Sequence, residues 1–119
     1  MSIKPVTPET AESIEAVLNA FETAYLEQQA GNQYPLTLTT DQETRLIAAI
    51  APHLGTVPTP AKITEILSEV QELHQLDGRI FEFEGDEYEP HDPGYEYVLA
   101  DREHDRKQFI RYLIHQQMK

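Results

Sequence analysis

The chain predicts a mainly α-helical domain with one small β-hairpin, in the order helix, helix, helix, hairpin, helix. Three observations carry this. Apolar residues recur at three- and four-residue steps in four separate segments. Helix-opening residues stand before each of them: Thr7-Pro8, Thr40, Thr59-Pro60 and Asp101. One stretch instead alternates apolar and acidic residues at the two-residue period of a half-buried strand. The 119 residues suit a single domain spanning 1–119.

Thr7 accepts from a free backbone N–H while Pro8 takes the first helical position, where a missing donor costs nothing. Ile14, Val17, Leu18, Phe21 and Tyr25 form the buried stripe of this first helix, and Gly31-Asn32 ends it. Pro35 biases Tyr34 to extended geometry, and Tyr34, Leu36 and Leu38 pin the connection to the core. Thr40 to Glu43 has the form of a capping box, so a second helix starts at Asp41 and buries Leu46, Ile47, Ile50 and Leu54 before Gly55 stops it. Thr59-Pro60 opens a third helix, with Ile63, Ile66, Leu67, Val70 and Leu73 inward and Glu65, Glu69 and Glu72 as an outer acidic ridge. After Asp77-Gly78, residues 79–84 read as a strand and residues 95–99 as its partner, joined by a loop of about ten residues. A last helix capped by Asp101 turns Leu99, Phe109, Ile110 and Leu113 inward, pairs Glu103 with Lys107, and gains further apolar surface from Tyr112 and Ile114.

Charge is the compositional outlier. Nine Lys and Arg face 21 Asp and Glu, a net charge of −12, which disfavours attraction to nucleic acid or to an anionic membrane. Residues 80–100, the acidic aromatic hairpin, hold seven acids, no Lys or Arg, and five of the ten aromatics. The acids are Glu82, Glu84, Asp86, Glu87, Glu89, Asp92 and Glu96, and Tyr88 lies among them as an amphipathic anchor. Residues 101–119 invert the balance, with five cations against three acids, so the last helix is expected to sit against the hairpin of its own or a twin chain. Cysteine is absent, which excludes disulfides, thiolate metal sites and a Cys nucleophile and fits a cytoplasmic setting. Residues 1–6 lack the apolar core of a secretory signal, and no apolar run approaches the roughly 20 residues that span a bilayer.

The order of elements resembles a winged-helix domain, with residues 41–54 and 60–74 as the helix-turn-helix and 79–99 as the wing. In a DNA reader of that family the second helix presents Arg, Lys, Asn or Gln to the groove; here Glu65, Glu69 and Glu72 stand there instead. The favoured expectation is a small cytosolic interaction protein, an adaptor or inhibitor and not an enzyme, without cofactor or metal. It docks on a basic surface of a partner protein through Glu65, Glu69, Glu72, Glu82, Glu84, Asp86, Glu87, Tyr88, Glu89 and Asp92, in one version as a mimic of nucleic acid. One alternative is a dimeric winged-helix transcriptional regulator binding DNA through Arg45, Arg79 and the basic last helix. Another is a metal-dependent hydrolase built on His91, Asp92, His104 and Asp105, since imidazole and carboxylate suit transition metals. Phosphate-binding Gly-rich loops and G-x-S-x-G are both absent.

Overall fold

Helices form where the apolar stripes run, and the computed structural model describes residues 6–28 and 38–118. The elements are α1 (Pro8–Gln28), α2 (Thr40–Leu54), α3 (Pro60–His74), β1 (Phe81–Phe83), β2 (Asp86–Tyr88) and α4 (Tyr95–Gln116). The order helix, helix, helix, hairpin, helix is as the sequence predicts. The end of the first helix at Gly31-Asn32 and the roles of Tyr34 and Leu36 lie outside the described residues, whereas Leu38 packs against the core.

The core is one cluster. Val17 and Phe21 of α1, Ile50 of α2, Ile66 and Val70 of α3, and Val98, Ile110 and Ile114 of α4 are its most enclosed side chains. All five inward residues predicted for α3 are buried. α2 packs on α1, while α3 and α4 pack on α1 and on each other. The result is flat, 44 × 36 × 21 Å with a radius of gyration of 15.9 Å, above the roughly 13–14 Å of a compact domain this long. No helix among the described residues is long and apolar enough to cross a membrane.

Four local expectations are corrected. The capping box of α2 is one residue earlier: Thr39 Oγ1 accepts from Gln42 N–H at 3.2 Å and Gln42 Oε1 accepts from Thr39 N–H at 2.9 Å. Two overlapping signals exist, Thr39 with Gln42 and Thr40 with Glu43, and the first of them closes, which leaves Thr40 as the first residue of the helix. Residues 95–99 are no strand. Tyr95, Val98 and Leu99 are buried at helical spacing in the first turns of α4, so this helix starts at Tyr95 and not at Asp101. Its start is set by Gly94 at φ +86°, whose carbonyl accepts from Tyr97 and Val98 N–H at 3.1 and 3.2 Å. Phe109 is 43% exposed, because the buried face of α4 at this level is taken by Ile110, Leu113 and Ile114. Glu103 and Lys107 form no ion pair, and the α4 cations that reach other elements are Arg102, Arg106 and Arg111.

The partner of β1 is β2, directly across a two-residue turn, with Phe81 opposite Tyr88, Glu82 opposite Glu87 and Phe83 opposite Asp86. Glu84 and Gly85 have φ +52° and +85°, the positive values that both central residues of a type I′ hairpin turn require. Glycine takes such values freely, but a side chain with a Cβ is strained there and Asn is the usual tolerated residue. Glu84→Asn is therefore expected to raise stability by about 0.5–1 kcal/mol, read from the urea midpoint at unchanged slope.

Candidate interaction site

Residues alternate across the hairpin, so one face carries the rings and the other carries Glu82 beside Glu87. Phe81 is buried and stacks on Tyr95 at 5.8 Å between centroids. Phe83 and Tyr88 are half-buried against the core. Tyr88 therefore serves packing more than contact, and its ring lies 3.4 Å from where a Cβ on Gly94 would stand. The exposed ring is that of Tyr97, 68% accessible and edge-on to Phe83 at 6.0 Å. Reading 95–99 as a strand hides this, because a strand puts Tyr97 on the same face as Tyr95. The i, i+3, i+4 spacing of Tyr95, Val98 and Leu99 is the signal that finds it.

The hairpin is held at three points. Tyr95 Oη donates to the Arg79 carbonyl at 2.8 Å and accepts from Gly78 N–H at 3.0 Å. Arg102 donates to the Glu82 carbonyl at 2.7 Å. The loop before α4 is closed by Asp92, whose carboxylate accepts from Glu89 N–H at 2.8 Å while its own N–H donates to the Glu89 carbonyl at 2.9 Å.

Charge pairing separates the predicted acids into two groups. The α3 ridge is neutralised within the chain: Glu65 meets Lys62, Glu69 meets Arg106 at 2.7 Å, and Glu72 meets Arg79 at 3.1 Å. Glu69 is partly buried in doing so. These three are therefore not an open acidic ridge. Glu89 and Asp92 have His91, at 3.4 and 3.6 Å. Glu82, Glu84, Asp86 and Glu87 are exposed, and among the described residues no cation forms an ion pair with them. Glu82 and Glu87 stand directly opposite each other, where like charges destabilise a strand pair.

The five arginines all find acceptors in the chain. Arg45 pairs with Glu27, Arg79 with Glu72, Arg106 with Glu69 and Arg111 with Glu15, while Arg102 holds the hairpin backbone. The arginines of the last helix thus reach α1 and α3 through ion pairs and the hairpin through a backbone carbonyl, while Tyr95 and Tyr97 meet the hairpin's rings. Of the two His-Asp pairs, His91 and Asp92 form a close group with Glu89, their ligand atoms within 4.8 Å of one another. His104 and Asp105, exposed on α4, do not join it. Comparisons with family models, with curated proteins and with solved structures each return no match, so the winged-helix resemblance rests on element order alone.

Proposed function

We propose that the chain is a protein–protein interaction module that docks its acidic hairpin on a basic surface of a partner protein. The observation that carries this is a contrast. The acids of α3 and all five arginines are satisfied internally, whereas Glu82, Glu84, Asp86 and Glu87 pair with no cation among the described residues. A partner's Lys or Arg relieves the repulsion between Glu82 and Glu87, and complementary charge speeds encounter and selects partners. Exposed Tyr97 beside Phe83 adds an aromatic contact for the same cations. A row of carboxylates on a projecting hairpin also stands in for backbone phosphates, which makes a nucleic-acid-binding protein one form of partner. A cytoplasmic setting belongs to the proposal and rests on the absence of cysteine. The regulator alternative is weaker, because Arg45 and Arg79 are committed to Glu27 and Glu72.

The test is titration of an arginine-rich peptide, nona-arginine, followed by amide shifts and fluorescence anisotropy at two salt concentrations. Shifts are expected at residues 82–88 and 97. The triple change Glu82→Lys, Glu84→Lys, Glu87→Lys should weaken binding at least about tenfold and flatten its salt dependence, with the helical circular dichroism unchanged. Undiminished binding by the triple variant, or shifts centred on α3, overturns the proposal.

A further inference from the structure

One corner of the hairpin's ring face brings two aromatic rings and an unpaired carboxylate together. Tyr97, in the first turn of α4, sets its exposed ring at 74° to the ring of Phe83, with 6.0 Å between centroids. Phe83 is half-buried against the core, which fixes its side of the corner. Asp86 stands directly opposite Phe83 in the ladder, so its side chain leaves the same face of the hairpin, its Cβ about 5 Å from that of Phe83. Asp86 is exposed, and its carboxylate makes no ion pair or hydrogen bond among the described residues.

Each part of this corner selects among possible occupants. A ring face attracts a cation but gives it no hydrogen bond, so a compact, strongly hydrated ammonium loses water there without replacement. A guanidinium is flat and weakly hydrated, and it stacks on such a face. Its edge still presents N–H donors, two of which a carboxylate accepts in parallel. A neutral apolar side chain suits the rings but covers the carboxylate of Asp86 without pairing it, which is costly. A second copy of the chain has no arginine to offer: Arg45, Arg79, Arg106 and Arg111 are in ion pairs, and Arg102 holds the Glu82 carbonyl.

We infer that the corner of Tyr97, Phe83 and Asp86 takes an arginine side chain of the partner protein in preference to lysine, its guanidinium stacked on the Tyr97 ring and paired with Asp86. This rests on the docking of the acidic hairpin proposed above, and it narrows the partner to a protein whose contact surface presents arginine.

The test titrates nona-arginine and nona-lysine, equal in length and charge, separately into the full chain at one ionic strength. Anisotropy gives the affinities, and NMR follows the Tyr97 ring signals and the backbone amides. Nona-arginine should bind at least about tenfold more tightly and move the Tyr97 ring signals. Nona-lysine should move the amides of residues 82–88 with little change at that ring. Tyr97→Leu keeps apolar bulk at this exposed helical position and should cut the arginine-over-lysine ratio to about twofold, whereas Tyr97→Phe keeps the ring and should preserve the ratio. Asp86→Asn should lower the affinity for nona-arginine more than that for nona-lysine. Equal affinities of the two peptides, a ratio unchanged by Tyr97→Leu, or a Tyr97 ring unmoved by nona-arginine overturns the inference, and the docking proposal still stands if both peptides shift residues 82–88. Failure of both peptides to bind overturns the docking proposal itself and this inference with it.

Discussion

Tyr95→Ala is expected to lower stability by about 3–5 kcal/mol, the usual cost of truncating a buried aromatic, and to weaken nona-arginine binding with every carboxylate still in place. Tyr95 is 3% exposed in the first turn of α4. Its ring stacks on Phe81, and its hydroxyl ties together Gly78 N–H and the Arg79 carbonyl just before the hairpin. Alanine leaves a void between α4 and β1 and strands both backbone groups. Tyr95→Phe keeps the ring and separates the two costs; it should lose about 1–3 kcal/mol, the penalty of leaving partly buried polar groups unpaired. Urea denaturation measures both variants. Domains of this kind have only about 5–15 kcal/mol in total, so the alanine variant stands near the limit of folding. A loss within a few tenths of a kcal/mol for Tyr95→Phe would mean that water replaces the hydroxyl and that the hairpin is positioned by packing alone.

This anchor also marks where sequence reasoning runs out. The α3 stripe was legible because Ile63, Ile66, Leu67, Val70 and Leu73 follow one period and Thr59-Pro60 announces the start. The stretch Tyr95 to Leu99 carries two periods at once. Alternation fits a strand, i, i+3, i+4 fits a helix, and only packing of Tyr95, Val98 and Leu99 into the core decides for the helix. β2, Asp86-Glu87-Tyr88, is poor in strand-forming residues and follows Glu84-Gly85 where Asn-Gly would advertise the turn. The acidic hairpin tip was visible in composition. Which carboxylates are free was not, because partners such as Glu69 and Arg106 lie 37 residues apart and meet only when α3 packs on α4.

The second large effect is expected at the opposite side of the molecule. Ile50 is fully enclosed, with Leu46 and Leu54 one turn away on either side, and this one stripe holds α2 on α1. Ile50→Ala should cost about 2–5 kcal/mol. Because α3 and α4 also pack on α1 and on each other, they keep most of their contacts when α2 loosens. The loss should therefore fall unevenly: amide hydrogen exchange in 44–54 accelerates first, through an opening that leaves α3 and α4 protected. The hairpin is anchored by Tyr95 and Arg102 of α4 and touches none of this, so nona-arginine binding at a temperature where the variant stays folded should be unchanged. Uniform loss of protection across α1, α3 and α4 would show instead that α2 and the rest unfold as one unit. In that case the separate attachment of the hairpin would no longer insulate its binding from damage to the far side of the core.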